Sequence, residues 1–196
     1  MAIFSFEGVV PVIHPSAFIH PTAAVIGDVR IGPDCYIGPG ASLRGDFSAV
    51  VVGAGCNVQD NAVLHGTPYL DMVVEADGHI GHGAVIHSCR IGRNALIGIN
   101  AVVFDGASIG DDSIVAAMAF VPSGFVLPPR HLAAGVPARV IRPLGDVEIA
   151  AKAKGTLAYQ RLAGRCHLSL KPCAPLTEPE PGRRPVDITT FWPEDE

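Results

Sequence analysis

An aliphatic residue recurs every six positions along much of this 196-residue chain, and this repeat constrains the fold more than any other feature. The first run of the repeat comprises Ile13, Ile19, Val25, Ile31, Ile37 and Leu43. A period of six matches neither the 3.6 of an α-helix nor the 2 of a strand, so it indicates a short strand and a turn, repeated. Three hexads make one triangular coil of about 18 residues, and coils stack at the ~4.8 Å spacing of strands. The sequence therefore predicts an all-β fold, a parallel β-helix.

The repeat continues to Val121, with two insertions and one deletion. Three extra residues precede Val52, four precede Val74, and one residue is missing before Ile91. The hexads from Ile13 to Val121 make about six coils. Insertions in a solenoid form loops at its corners, where functional residues tend to collect.

The segments on either side of the repeat predict the rest of the organisation. Residues 1–12 are expected to form one or two short strands that cap the first edge of a β-helix domain spanning 1–145. Residues 146–171 are predicted to form a C-terminal helix with Asp146 as its N-cap, Glu148 in its first turn and recurring apolar residues. These apolar residues are Val147, Ala150, Ala153, Leu157 and Leu162. The proline-rich tail, 172–196, is expected to be extended over a neighbour or disordered.

Composition excludes several classes of protein. The chain is 48% hydrophobic and 17% charged with 22 Gly and 17 Pro, which is too apolar for a disordered chain and too rich in Gly and Pro for a helix bundle. No apolar run reaches the ~18 residues of a membrane span and no signal peptide is apparent, so we expect a cytoplasmic protein without a membrane partner. The net charge of −5, without a basic run, argues against nucleic acid as a partner. The five cysteines form no CxxC pair and are expected to be reduced.

Three histidines, His65, His82 and His87, stand at outward positions of the repeat. Counting hexads places His65 and His87 on one side of the triangle, one coil apart, in a column with Arg44. At a spacing of ~4.8 Å two imidazoles can aim at one point, as a Zn–N bond of ~2.0–2.1 Å requires. Other outward histidines are expected to be ordinary surface residues, namely His14, His20, His79, His131 and His167.

His82 falls in a column with Asp60 on another side of the triangle, beside Gln59. Because His82 lies round a corner, it meets the other two histidines only if three prisms pack about a threefold axis. Three nitrogens at such a seam, with a fourth position open to water, are the pattern of a catalytic metal site. If the chain forms such a homotrimer, a metal site would therefore lie at each interface. The alternative is an ordinary solvated charged face formed by Arg44, Asp46, Gln59 and Asp60.

At these residues the chain resembles the γ-class carbonic anhydrases and their homologues. The matching motifs are SLRGDF (42–47), VQDNAVLHG (58–66), GHIGHGAVIH (78–87) and GVPARVI (135–141). The resemblance covers roughly residues 10–165 and implies a left-handed β-helix trimer with metal sites between its subunits, a hand that the repeat spacing alone does not give.

The resemblance also implies roles for individual residues. His65, His82 and His87 would be the metal ligands, and imidazole suits Zn²⁺, with Fe²⁺ and Co²⁺ as alternatives. Arg44 and Asp60 would orient the seam between subunits. Gln59 would steer the water that the metal activates, and either the metal or Gln59 would stabilise the oxyanion.

The C-terminal segments KGTLAYQRLAGRC (154–166) and LTEPEPGRRP (176–185) resemble the phenylacetate-degradation branch of this family, with a carnitine-operon branch nearby. That branch implies hydrolysis of an aryl acyl-CoA thioester by metal-bound hydroxide. Tyr159 is expected either to approach the site or simply to pack. Five basic residues are expected either to bind CoA phosphates or to form an exposed basic face, namely Arg139, Arg142, Lys152, Lys154 and Arg161.

Two other functions stay open at the level of the sequence. The same centre can hydrate CO2, with CO2 and bicarbonate as substrate and product, but Phe47 stands where founding family members carry a glutamate. The short 66–77 loop offers Asp71 and Glu75 as its only carboxylates before Asp77, which argues against fast CO2 hydration. A hexapeptide acyltransferase with a histidine base, or a non-catalytic scaffold, is the remaining alternative.

Overall fold

The computed structural model describes residues 2–188 and shows a parallel β-solenoid of about 7 turns followed by a C-terminal helix. The strands are β1 Ala2–Phe4, β2 Val12–Ile13, β3 Phe18–Ile19, β4 Ala24–Ile31, β5 Tyr36–Ile37, β6 Ser42–Val52, β7 Asn57–Val58, β8 Val63–His65, β9 Met72–Val74, β10 His79–Ile80, β11 Val85–His87, β12 Arg90–Ile91, β13 Leu96–Ile97, β14 Val102–Val103, β15 Ser108–Ile109, β16 Ile114–Val115, β17 Phe120–Val121, β18 Val126–Leu127, β19 His131–Gly135 and β20 Ala138–Pro143. The helix, α1, spans Asp146–Ser169. Among the described residues, no helix is both long and apolar enough to cross a membrane.

The six-residue repeat builds the solenoid because each aliphatic residue stacks on its counterpart in the next coil. Ile37, for example, pairs in parallel register with Ile19 on one side and with Val58 on the other, and Val58 pairs with Ile80. These side chains point into the prism and are almost completely buried. Fully burying one such side chain contributes about 1.5–3 kcal/mol, so the stacked column is the main source of stability. The predicted fold class is confirmed.

The solenoid is about one turn longer than the six coils predicted from the sequence. Leu127 pairs with Ile109, and Ala133 pairs with Val115, so both extend existing sides of the prism. The sequence signal fades here because Leu127 is followed by two prolines and Ala133 replaces a larger aliphatic residue. The last strand, β20, then turns back antiparallel on β19 and covers part of the far end.

The near end of the solenoid is covered by the first two strands. β1 pairs with the first half of β4, and β2 pairs with its second half. The loop that follows β8 is a small hairpin closed by a bridge between Thr67 and Leu70, and it lies directly after His65. The corner insertions therefore sit beside the histidine column.

Helix α1 begins at Asp146 with Gly145 as its N-cap residue, so the prediction that Asp146 is the cap was wrong by one position. The reason is that Glu148, at the third helical position, accepts a hydrogen bond of 3.1 Å from the backbone N–H of Gly145. This contact satisfies an orphan donor of the first turn without a side chain at the cap.

The face that α1 buries is polar and small rather than apolar. Its buried residues are Lys152, Thr156, Ala158 and Ala163. Val147, one of the residues that signalled the helix, is 83% exposed. The helix packs on the side of the prism that carries β3, β5 and β7. Hydrogen bonds, in addition to apolar area, therefore dock the helix.

Lys152 provides the clearest of these contacts. Its Nζ donates to the backbone carbonyl of Asp77 at 2.6 Å and to Asn94 Oδ1 at 2.8 Å. Burial lowers the pKa of Lys152 to about 8, although the carboxylate of Asp77 works in the opposite direction. After the helix, residues 170–188 are irregular and exposed, and the carbonyl of Asp187 accepts a hydrogen bond from Arg165. The remainder of the predicted tail, 189–196, lies outside the described residues.

Candidate metal centre

His65 and His87 lie opposite each other on adjacent coils. They end β8 and β11, which pair in parallel with His65 facing His87, and the centroids of their rings are 5.3 Å apart. The hexad count places them in one column, and the register of the strands has the same arrangement. Two imidazoles at this separation can bind one ion between them.

A carboxylate fixes the orientation of the His65 ring. His65 Nε2 lies 2.8 Å from Asp46 Oδ1 and 3.2 Å from Arg44 Nη2, and Arg44 Nη1 lies 3.3 Å from Asp46 Oδ2. A guanidinium can only donate, so Nε2 cannot both donate to Asp46 and accept from Arg44. The shorter contact decides: Nε2–H donates to Asp46, and Arg44 pairs with the same carboxylate. The lone pair of the neutral His65 ring is then on Nδ1.

The other two histidines have the same kind of partner. His87 Nδ1 lies 2.5 Å from Asp105 Oδ1, and His82 Nδ1 lies 2.8 Å from Asp60 Oδ2. Sequence reasoning found the Asp60–His82 column but missed Asp105. Extending the hexad count by one coil, from Ile86 to Val103, would have placed Asp105 next to the histidine column. The resemblance implies that Arg44 and Asp60 orient the seam between subunits. Within one chain these two residues have separate partners: Arg44 pairs with Asp46, and Asp60 contacts His82.

Each of the three imidazoles therefore has one nitrogen facing a carboxylate and one without a hydrogen bond among residues 2–188. The nitrogens without a hydrogen bond are Nδ1 of His65 and Nε2 of His82 and His87. A carboxylate behind each imidazole is the arrangement that orients metal-bound histidines and raises their basicity. The donor chemistry of the three residues thus fits a metal such as Zn²⁺. In a single chain, however, no three described His, Cys, Asp or Glu side chains are grouped so that they could hold an ion.

Gln59 lies beneath α1 and is almost fully buried. Its Nε2 donates to Asn57 Oδ1 at 3.0 Å and contacts His79 Nε2 at 2.6 Å. His79, interpreted from the sequence as a surface residue, is instead covered by α1: Thr156 Oγ1 lies 3.5 Å from its Nδ1. Burial, and then the positive charge of Lys152, lowers the pKa of His79 to about 3. The prediction that His79 is a surface residue was wrong because the sequence does not show which face of the prism the helix covers.

Tyr159 packs in the same layer. Its ring centroid lies 5.4 Å from that of Tyr36 and 5.5 Å from that of His79. Burial and then the negative charge of Asp60 raise the pKa of Tyr159. Tyr159 therefore belongs to the helix interface on the Asp60 side, and no contact joins it to His65 or His87 among the described residues.

The structure also gives the surroundings of the residues that bear on the choice of substrate, namely Phe47, Asp71 and Glu75. Phe47 is 64% exposed, and its ring centroid lies 5.4 Å from that of His65. Asp71 Oδ1 accepts a hydrogen bond from the Ala49 N–H at 3.1 Å, and Glu75 pairs with Arg90. Both carboxylates of the 66–77 loop that the sequence offered as proton carriers thus make local contacts.

The basic residues expected to bind CoA phosphates differ in their surroundings. Lys152 is sealed under the helix, so its assignment to that group was wrong. Arg142 makes a bidentate pair with Glu148, with N···O distances of 2.9 and 2.8 Å. Arg139 and Arg161 are exposed.

Comparison with known proteins agrees with the fold and the repeat, which define a hexapeptide-repeat β-solenoid protein. A family model described as bacterial transferase hexapeptide (six repeats) matches residues 11–45 and 88–123. The carnitine operon protein CaiE of Escherichia coli K12 is 50% identical over 190 residues, which is 97% of each chain. CaiE of Proteus sp. LE138 is also 50% identical, over 97% of this chain and 96% of its own. The chain belongs to the family that contains CaiE, within the γ-carbonic-anhydrase-like hexapeptide-repeat proteins.

Two solved structures share the fold over most of this chain. A candidate acetyltransferase from Bacillus cereus superposes with a TM-score of 0.84 at 34% identity, covering 86% of this chain and 98% of its own. A hexapeptide transferase family protein from Anaplasma phagocytophilum gives a TM-score of 0.81 at 35% identity, covering 84% and 97%.

Proposed function

We propose that this protein is a metal-dependent hydrolase whose active centre forms between subunits of a homotrimer and cleaves an acyl-CoA thioester. One observation carries the proposal: three imidazoles each have a carboxylate on one nitrogen and no hydrogen bond among residues 2–188 on the other. Metal-binding histidines almost always donate their second ring N–H to such an acceptor.

The centre needs two chains because of the shape of the prism. His65 and His87 share one side, and His82 lies on another side with Asp60. When three prisms pack about a threefold axis, the first side of one chain faces the second side of its neighbour. His65 and His87 of one subunit and His82 of the next would then hold the ion, with Zn²⁺ the expected metal and Fe²⁺ or Co²⁺ the alternatives.

The metal would supply Lewis acidity, lowering the pKa of a coordinated water toward ~7. The chain's own residues perform the other tasks. Asp46, Asp60 and Asp105 hold the three imidazoles in one tautomer, and Gln59 lies next to Asp60 to orient the attacking water. Attack on the thioester carbonyl forms a C–O bond and breaks the C–S bond, so the products are a carboxylic acid and free CoA.

Two features favour a thioester over CO2 as the substrate. Phe47 presents an exposed apolar ring beside His65, which suits an acyl group better than a small gas molecule. Asp71 and Glu75 make local contacts and are not placed as free proton carriers. The C-terminal resemblance suggests an aryl acyl group, as in phenylacetate degradation, whereas the relatives' name points to a carnitine operon.

The test is an assay panel on the zinc-loaded protein and its His65→Ala variant. The panel measures hydrolysis of aryl-CoA and aliphatic acyl-CoA thioesters, hydration of CO2, and acetyl transfer from acetyl-CoA. We expect thioester hydrolysis that falls by at least about a thousandfold in the variant, since removing a ligand removes the activated water. Hydrolysis that is unchanged in His65→Ala would contradict the proposal.

CO2 hydration is the second candidate, because the same three imidazoles are the expected ligands of that chemistry. If it were the main activity, CO2 hydration would exceed every thioester rate in the panel. Acetyl transfer that persists in His65→Ala would instead favour the activity assigned to the Bacillus cereus relative.

A further inference from the structure

The buried amide of Gln59 is held from two directions. Its Nε2 lies 3.0 Å from Asn57 Oδ1 and 2.6 Å from His79 Nε2, so both hydrogens of the amide are used. No hydrogen bond reaches Gln59 Oε1 among the described residues. Asn57 Nδ2 is the one buried side-chain nitrogen or oxygen among the described residues that has no hydrogen-bond partner. Gln59 Oε1 is therefore not fully buried, and it remains free to accept a hydrogen bond.

His79 decides which end of this amide is left over. A neutral imidazole has one donor and one acceptor nitrogen. With Nε2 accepting from Gln59, the proton of His79 is on Nδ1, which faces Thr156 Oγ1 of α1 at 3.5 Å. The opposite tautomer would attract Oε1 and turn the Gln59 nitrogen away from His79. The chain of contacts thus runs from the helix, through His79, to Gln59.

Several groups keep His79 uncharged, so that it retains its acceptor nitrogen. The ring is half-buried against α1, with Tyr159 edge-on against it. Lys152 adds positive charge nearby, which disfavours a protonated imidazole. Asp60, which follows Gln59 in the chain, pairs with His82 rather than with His79.

We propose that His79 is a positioning residue for the reaction: it holds the Gln59 amide so that the carbonyl oxygen, not the nitrogen, is presented to the attacking water. This inference rests on the proposed function. In this orientation Gln59 accepts the hydrogen of the water and directs the oxygen lone pair at the carbonyl carbon. It does not donate to the oxyanion. Helix α1, which lies outside the histidine columns, becomes part of the catalytic arrangement because it holds His79.

The first test does not need activity. Nitrogen NMR of the full-length, zinc-loaded protein labelled with ¹⁵N-histidine reports the tautomer of each ring. We expect His79 to carry its proton on Nδ1 and to stay neutral down to pH 5, and we expect the Gln59 amide signals to shift in His79→Phe. A proton on His79 Nε2, or a charged ring at neutral pH, would overturn the proposal.

The second test is a double-mutant cycle in kcat for thioester hydrolysis. His79→Phe and Gln59→Ala should each lower kcat by about 10–100-fold, with unchanged metal content and KM. The double variant should be no slower than Gln59→Ala alone, because both changes remove the same positioned oxygen. His79→Gln, whose side-chain oxygen can take the place of Nε2, should recover most of the rate. Losses that multiply in the double variant would show that His79 and Gln59 act independently and would overturn the proposal.

The two tests separate the two claims. If the wild-type protein hydrolyses no thioester, the proposed function fails, and the NMR result still decides whether His79 holds the Gln59 amide. If hydrolysis is present and the NMR shows the opposite tautomer, the positioning role fails alone. Should His79→Phe not fold, the wild-type spectrum and His79→Gln keep the test decisive.

Discussion

At the scale of single residues, the site histidines differ from the other histidines in their partners. His65, His82 and His87 each face a carboxylate, whereas His14 and His20 contact hydroxyls two residues further along the chain. A carboxylate holds the imidazole as a ligand with a defined tautomer, and a neighbouring hydroxyl satisfies it as a surface residue. The proposed chemistry therefore depends on the carboxylates as well as on the rings.

Replacing His65 by alanine should abolish stoichiometric metal binding. The remaining ring of the column, His87, can supply only one nitrogen from that chain, and two ligands hold Zn²⁺ far more weakly than three. Metal content by plasma emission spectrometry after dialysis measures the effect. His14→Ala, at an exposed histidine, is the matched control and should keep its metal; full retention in His65→Ala would refute the ligand assignment.

Acidification should lower the free energy of unfolding, because His79 is neutral in the folded protein. Its pKa in the folded protein is about 3, below the ordinary value of 6.5, so the unfolded state binds more protons between these limits. Stability contributed by the neutral ring is therefore present above pH 6.5 and is lost as the pH falls toward 3, by at most about 1.4 kcal/mol per pH unit.

Urea unfolding of wild type and His79→Gln at several pH values measures this loss, since glutamine does not titrate. The advantage of wild type over the variant should shrink from pH 7 to pH 4. Two stability curves that stay parallel over this range would mean that His79 is not held neutral by the fold.

At the scale of elements, the six-residue repeat made the histidine columns predictable, whereas the sequence did not predict how the helix packs on the prism. Register follows from counting, because each aliphatic residue must stack on the next, and this places His65 opposite His87 and Asp60 beside His82. The helix gave no such signal, since it docks through the polar side chains of Lys152 and Thr156 as well as through a small apolar cluster around Ala163. Asp105 was within reach of the same count, whereas the burial of His79 and Gln59 was not.

The corner glycines allow adjacent coils to approach closely, so adding a methyl group there should be costly. A Cβ on Gly32 would lie 2.9 Å from the Ala54 nitrogen and 3.0 Å from the Gly53 carbonyl carbon, both of which are backbone atoms. Gly32→Ala should therefore destabilise the protein by about 1–3 kcal/mol.

The matched control is Gly155→Ala in α1, where a Cβ meets nothing within 4 Å. Alanine is the better helix former, so this change should stabilise the protein by about 0.5–1 kcal/mol. Thermal unfolding of both variants measures the pair. A neutral Gly32→Ala would show that the coils can move apart at this corner.

At the scale of the whole molecule, the proposed activity depends on a centre shared between chains. The sides of the prism separate His82 from the column of His65 and His87. A trimer brings the two sides together three times, once at each seam. Fold, histidine partners and the family relationship are compatible with this assembly, and its direct consequence is that ligands from different chains must complement one another.

The most direct measurement mixes two inactive variants, His65→Ala and His82→Ala, by co-expression with different affinity tags and isolation of the mixed trimers. Every mixed trimer has one seam at which an intact His65 and His87 meet an intact His82. The isolated mixed trimers should therefore restore one site in three, about a third of the wild-type sites, as bound zinc and as thioester hydrolysis, while each variant alone has none. No recovery in the mixed trimers would contradict a centre shared between subunits.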